Sequence, residues 1–254
     1  MCLNEYNTIF FRPDPPVDID YINASYILSY VDENAVFIIN SPHAIREKNE
    51  KLYVNEFQGL IPDNIVASDE KIIKEFLFEK GEIIIKPTNR CFGSGVFYLN
   101  SKDKNINSIL QCATNNFQTA VMVQEYLPEI KNGDKRLIYI CGKIFDYCVS
   151  KVATNNDFKF NEHNKNTLKF AQLTPEEKQI EARVKDKFEH DGIYTAGLDV
   201  IDGKIIEINI TSPCFFINEI NEIFDINFEK MITDRIELYS NSRNSALLDK
   251  MSIC

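Results

Sequence analysis

Residues 195–209, TAGLDVIDGKIIEIN, read as two apolar strands joined by a turn at Asp202-Gly203. A hairpin this apolar has to be buried, yet its body carries Asp199, Glu207 and Asn209. Glu207 and Asn209 are two residues apart and share a face of their strand. Where Asp199 points depends on the turn. A two-residue loop pairs Asp199 with Ile206 and turns it away from Glu207. A three-residue loop, Ile201 to Gly203, pairs it with Ile205 and puts all three polar groups on one face. We favour the three-residue loop. Two carboxylates and an amide oxygen suit Mg²⁺, a hard cation that prefers oxygen ligands and shares them with substrate phosphates. The bland alternative is a solvated polar face on an edge hairpin.

The rest of the chain alternates strand-like and helix-like runs, as layered α/β proteins do. YNTIFFRPD and NAVFIIN read as strands, with a helix between them capped at Asp20. SPHAIREKNEKLYVNEF opens on Ser-Pro and reads as one continuous helix. A strand at IPDNIVA, a helix from Ser68 or Asp69, a strand at EIIIK, a glycine loop and a further strand follow. A helix near DKNINSILQCATN leads to a strand at AVMVQEYL and a hairpin around Gly142. TPEEKQIEARVKDKFEH is a capped amphipathic helix, and NFEKMITDRIELYS a final one before a tail expected to fray. The polar run at residues 155–170 reads as a long loop that orders over bound substrate, as a lid.

With 254 residues the chain is one large domain or two small ones. Its net charge of −10 argues against nucleic acid as the main ligand, because phosphate-backbone binders need positive surface. Seven cysteines, with no CxxC pair, read as free thiols in a reducing cytoplasm. MCLNEYNTIFFRPDPP lacks the basic start of a secretory signal, and no run is apolar enough to span a membrane. Three scattered histidines give little support to a histidine-based site.

Other residues could meet a phosphate. Lys86 ends the strand EIIIK and precedes Pro87 and a loop containing Gly93 and Gly95. Lys51, and the pair Asp134 and Arg136 before the strand RLIYI, are ambiguous taken alone; exposed strand-end and turn charges are commoner.

Taken in order, SPHAIREKNEKLY, IIIKP with its glycine loop, VQEYLPEIKNGDKRLIYICGK and GLDVIDGKIIEINITSP closely resemble the ATP-grasp region of bacterial-type glutathione synthetases. The upstream RPDPPVDIDYINASYIL is similar to the segment that leads into that region, so the resemblance runs from about Ile9 to Leu238. It implies an α/β (α+β ATP-grasp) fold: a truncated parallel-sheet amino-terminal domain over residues 1–48, two α+β subdomains clasping ATP over 49–239, and a tail over 240–254. It also implies a reaction. ATP phosphorylates the cysteinyl carboxylate of γ-glutamylcysteine, and the amine of glycine displaces phosphate. By motif, Lys51 and Lys86 reach the nucleotide, Gly93 and Gly95 lie in the phosphate loop, and Gln124, Glu125, Tyr126 and Leu127 run along the adenine. Asp134 lies by the ribose, Arg136 faces the transferring phosphate, and Asp199, Glu207 and Asn209 hold Mg²⁺ or Mn²⁺. Ser212 assists substrate. The implied partners are ATP, γ-glutamylcysteine, glycine and, since the family is oligomeric, a second copy of the chain.

The chain also departs from the family pattern. It starts almost at RPDPP, so part of the first domain is expected to be missing or encoded elsewhere. Arg90 and Phe92 stand where the family has glycines, and Asn218 where it has an arginine. Lys151 and Lys159 replace the arginines of its substrate loop, with Asn161 retained. Lysine keeps the charge but not a bidentate grip on a carboxylate. Two functions are therefore carried forward: a working ligase, for these substrates or another amino acid or peptide, and a weakly active or inactive relic or regulatory subunit that binds Mg-ATP.

Overall fold

The computed structural model describes residues 2–90, 93–152, 168–213 and 216–251, with the backbone alone for 246–251. The expected lid, with Lys159 and Asn161, lies largely outside these residues, as does Phe92. The amino-terminal part pairs β1 (Thr8–Phe10) and β2 (Phe37–Ile39) in parallel. Between them runs α1 (Ile19–Leu28), capped by Asp18 rather than Asp20, since the Asp18 carboxylate accepts from the Asp20 and Tyr21 amides. Asp20 lies inside the first turn, two residues past the cap position.

α2 (Pro42–Glu47) is shorter than the sequence suggests. Lys48 is extended, and the Asn49 side chain accepts from the Lys51 and Leu52 amides, which starts a new turn before the short helix Tyr53–Glu56. That break takes Lys51 off the helix surface and buries it. Lys51 can then reach the site.

Next comes a four-stranded antiparallel sheet in the order β3-β6-β4-β5: β3 (Asn64–Ala67), β4 (Glu82–Pro87), β5 (Phe97–Asn100) and β6 (Val121–Glu125). α3 (Glu70–Lys80), capped by Asp69, and α4 (Ile106–Ala113) cover its apolar face, burying Ile73, Leu77 and Leu110 against Ile83, Ile85 and Val123.

A second antiparallel sheet holds β7 (Asp134–Ile140), β8 (Lys143–Ile144), β9 (Cys148–Lys151), β10 (Leu168–Ala171), β11 (Thr195–Ile201) and β12 (Lys204–Asn209), with β7 and β11 central. β7 and β8 form the expected hairpin, with Cys141 and Gly142 both at positive φ. Such a two-residue turn matches strand twist. α5 (Pro175–Asp191) opens on a capping box of Thr174 and Glu177 and buries Ile180, Val184 and Phe188 against this sheet. α6 (Ile217–Phe224), a helix the sequence reading did not separate, precedes α7 (Phe228–Met251). α7 runs on through residue 240, where a fraying tail was expected. Its Arg243 donates to the Glu33 carbonyl and lies over the Phe37 ring.

Asn40 ties the amino-terminal strands to the second sheet. Its buried amide donates to the Thr195 and Ile210 carbonyls and accepts from the Tyr194 and Thr195 amides. Among the described residues no helix is long and apolar enough to cross a membrane.

Candidate active site

The hairpin keeps its three polar groups on one face by a route neither expected register includes. Its turn has two residues, with Asp202 and Gly203 at positive φ and Ile201 opposite Lys204. Val200 then faces Ile205, but Asp199 faces Glu207, so Ile206 is an extra, bulged residue. A bulge restores the parity that the tight turn removes. Asn209 lies opposite Gly197, on the same face. The hairpin is no solvated edge either. Asp199 is 6% exposed, and the outer side of β12 is covered by residues 50–60, whose Leu60 and Glu50 carbonyls accept from Ile205 and Ile208.

Neighbouring strands extend the polar face. β7 places Arg136 opposite Asp199, and β9 places Lys151 opposite Asp134. Arg136 grips Asp199 with Nε at 2.7 Å and Nη2 at 3.0 Å. Lys151 Nζ lies 2.9 Å from Asp199 Oδ1 and 2.5 Å from Asp134 Oδ2. Burial alone pushes the Asp199 carboxyl up, but Arg136 and Lys151 outweigh it and hold it well below the usual carboxylate range. Asp134 is buried with less compensation, and desolvation raises it. Gly197 makes room for the guanidinium: a Cβ there would sit 2.9 Å from the Pro213 carbonyl oxygen and 3.0 Å from Arg136 Nη1.

Lys86 enters from the facing sheet. It is buried, and its Nζ donates to Gln124 Oε1 at 2.8 Å and the bulged Ile206 carbonyl at 3.1 Å. Both partners are neutral, and desolvation lowers its pKa despite the more distant Glu207. Gln124 Nε2 is buried with no hydrogen-bond partner. A starved ammonium beside an unsatisfied amide fits an anionic, hydrogen-bonding ligand.

Between the two sheets lies a cavity of about 470 Å³, within the range of small-molecule sites. Lys86, Gly93, Gln124, Glu125, Tyr126, Leu127, Asp134, Arg136, Lys151, Asp199, Glu207, Asn209 and Ser212 all line it, so most of the residues singled out from the sequence meet there. Two described ones do not line it. Lys51 stands behind Glu207, 3.4 Å away, with its Nζ on the Arg90 carbonyl. Gly95 packs near Pro87 and Arg90. Arg90, placed where a glycine was expected, thus contributes its backbone oxygen to Lys51.

Sequence reasoning missed the apolar walls Ile84, Ile201 and Ile206, and also Glu50 and Asp14. Ile84 was findable, being two residues from Lys86 on the same strand face. Glu50 was not. Its carboxylate accepts from the Ile210 and Thr211 amides and the Thr211 hydroxyl, bracing the chain where β12 ends.

The donor set has the chemistry of a hard-cation site. Asp199 and Glu207 are direct cross-strand neighbours, with Cβ atoms in such pairs about 4.5–5.5 Å apart. Asn209 Nδ2 holds its amide beside them, 3.4 Å from Asp199 Oδ2. Among the described residues no three His, Cys, Asp or Glu side chains gather as a closed metal cage. An open, carboxylate-poor set of this kind fits Mg²⁺ that takes its remaining oxygens from a phosphate ligand and water.

Comparison with known proteins agrees with this geometry. Residues 50–225 match the family model of the prokaryotic glutathione synthetase ATP-grasp domain, and residues 1–46 match that of its N-terminal domain. Glutathione synthetase of a Nostoc species is 38% identical over 211 residues, 83% of this chain and 65% of the relative. That of Vibrio parahaemolyticus is 35% identical over 235 residues, 92% of this chain and 74% of the relative. The chain therefore spans roughly two-thirds to three-quarters of the length of these curated relatives. Among solved structures, the D-cycloserine synthetase DcsG superposes with a TM-score of 0.66 at 13% identity, covering 85% of this chain and 80% of that one. D-alanyl-alanine synthetase A of Vibrio cholerae gives 0.59 at 14% identity, covering 93% and 77%. Those two share the fold, an α+β ATP-grasp architecture. The sequence matches go further: the chain belongs to the prokaryotic glutathione synthetase family.

Proposed function

We propose that this chain ligates γ-glutamylcysteine to glycine at the expense of ATP, in the reducing cytoplasm that its free thiols suit. Residues 1–48 act as part of the substrate domain, residues 49–239 as the ATP clasp, and residues 240–254 as a tail. The observation that carries the reading is Lys86: a desolvated ammonium with only neutral contacts, across a cavity from a paired Asp199 and Glu207. A triphosphate supplies the charge that Lys86 lacks, and the carboxylates are placed to hold a metal between them.

The chain's own groups divide the work. Ile84, Ile206 and Tyr126 offer apolar surface to a purine. The Glu125 and Tyr126 amides are already taken by the Asp63 and Glu82 carbonyls. Leu127, the first residue beyond them, is the position whose backbone N–H turns to the base. Lys86, and Lys51 behind Glu207, offset phosphate charge. Arg136 has a rigid fork of donors that suits a phosphoryl group in flight. Gly93 lets the loop approach the phosphates. Asp134 orients Lys151, and Lys151 offers its charge to the carboxylate being phosphorylated. Lys159 and Asn161, outside the described residues, act on substrate. Asp199, Glu207 and Asn209 would hold Mg²⁺ or Mn²⁺, which would supply charge to offset that of the phosphates. Excluding water from the acyl phosphate then lets the amine of glycine, rather than hydroxide, attack. A second copy of the chain is a further partner we propose from the family.

One observation favours a second reading, a nucleotide-binding subunit without turnover: Arg136 and Lys151 already neutralise Asp199. Phosphate release from Mg-ATP separates the two. Release that needs both γ-glutamylcysteine and glycine, with glutathione formed, supports the ligase. A rise in Tm with Mg-ATP but no release supports the binding subunit.

A further inference from the structure

Asp14 is an acidic side chain that the reaction as described does not use. It lies in the run Pro13-Asp14-Pro15-Pro16, where proline rings fix φ on both sides of it. It is exposed, and it lines the cavity together with its neighbour Pro15. Its Oδ1 accepts from the Ser212 hydroxyl at 2.7 Å. Among the described residues no lysine, arginine or histidine forms an ion pair with it. Among the other carboxylates that line the cavity, Asp134 and Asp199 are engaged by Lys151 and Arg136, Glu207 by Lys51 and Glu50 by backbone amides, while Glu125 lies on β6, in the sheet that carries Lys86.

Position along β12 sets the polarity of the cavity. Ile206 meets Lys86, Glu207 and Asn209 carry the expected metal oxygens, and Ser212 follows where the strand has ended. Asp14 and Ser212 therefore stand beyond the carboxylates, on the side away from Lys86. Phe216, the next described residue after Pro213, also lines the cavity. The cavity thus has cations at its nucleotide side and an uncompensated anion, anchored by a hydroxyl, at the other.

We infer that Asp14 and Ser212 form the subsite for the ammonium group of the carboxylate-bearing substrate, an amino acid or short peptide with a free amine. This rests on the ligase reading above. A zwitterion placed with its reacting carboxylate toward Arg136 and Lys151 turns its ammonium away from them, because like charges repel and Asp14 attracts. The Ser212 hydroxyl, donating to Oδ1, holds the carboxylate in place, and an ammonium donates to the remaining lone pairs in a charge-assisted bond. Asp14 binds and orients; it transfers no proton.

The test is equilibrium binding by calorimetry, with Mg²⁺ and a non-hydrolysable ATP analogue present. The probes are γ-glutamylcysteine and glutarylcysteine, its analogue lacking the amine. Wild type is expected to prefer the amine by about 10- to 100-fold, the range for a hydrogen bond between charged groups. Asp14→Asn should remove most of that preference by weakening γ-glutamylcysteine alone, with binding of the ATP analogue within about twofold of wild type. Ser212→Ala should lose a smaller part of it. Equal discrimination by wild type and Asp14→Asn overturns the subsite while leaving the ligase reading intact. Binding of the ATP analogue without any binding of γ-glutamylcysteine overturns both. An Asp14→Asn variant that loses glycine affinity instead, measured in the same way, also overturns the assignment. Asp14 is exposed, so the variant should fold, and its Tm should match wild type.

Discussion

Replacing Asp199 with asparagine keeps the size of the side chain and removes one charge from the most buried ionic cluster of the site. Asp199 takes two bonds from Arg136 and one from Lys151. Breaking a buried pair from one side costs about 3–5 kcal/mol, because the partner stays behind uncompensated. Lys151 keeps Asp134, and Arg136 keeps the more distant Glu207 and Asp134, so the low end applies, about 3 kcal/mol. For a chain of this size that is a fall in Tm of roughly 6–12 °C. Urea unfolding of both proteins at neutral pH measures it, and repeating the series at lower pH checks its origin. The folded-state pKa of Asp199 is depressed, so its stabilisation is complete above the unfolded value of about 3.9 and is lost as pH falls below it. The gap between wild type and Asp199→Asn should therefore be constant above about pH 5 and narrow progressively as pH falls from about 4 toward the depressed folded value. A loss under about 1 kcal/mol at neutral pH, or a gap that does not narrow in acid, would refute this account of the cluster.

Affinity for Mg-ATP should weaken as pH rises through the alkaline range, beginning below the ordinary lysine value of about 10.4, because burial lowers Lys86 and only its charged form meets phosphate. Calorimetry at stepped pH reads this, and Lys86→Met should abolish the slope. Gly197→Ala should push Arg136 off its strand, costing about 1–3 kcal/mol of stability by denaturant unfolding and at least about tenfold in the rate of phosphate release. Thr174→Ala breaks the capping box of α5 and should cost about 1 kcal/mol, a fall in Tm of roughly 2–4 °C, with the Mg-ATP-dependent rise in Tm retained. A loss of that rise would mean α5 does more than buttress the sheet.

Periodicity and caps revealed most of the framework. Asp69 and the Thr174 box start helices by bonds within one turn of chain, so the sequence shows them directly. Asp18 was missed because two aspartates stand two apart and only the backbone decides which one caps. The shared face of Asp199, Glu207 and Asn209 was expected on the wrong register. A bulge at Ile206 has no local spelling: its carbonyl turns to Lys86, and its neighbours bond to residues 50 and 60, all distant in sequence. Asp14 and Glu50 were invisible for the same reason, since each matters only through a partner about 160 or more residues away. Lys86 and Arg136 were ambiguous as charges at strand ends and became decisive only when burial was seen.

The clamp at Asn40 has a mechanical consequence. It anchors the amino-terminal strands to the ends of β11 and β12, so these parts travel as one piece. The sheet of β3 to β6 is held differently. Its polar ties across the cavity run from Lys86 to the Ile206 carbonyl, from Lys51 to the Arg90 carbonyl and from Asn49 to the Thr88 carbonyl. The molecule is thus built like a vice, one jaw clamped through the buried Asn40 amide and the other held by side-chain ties. Among the described residues, two of these ties are made by the lysines a triphosphate would draw upon. A nucleotide seated on those lysines would take over the latch.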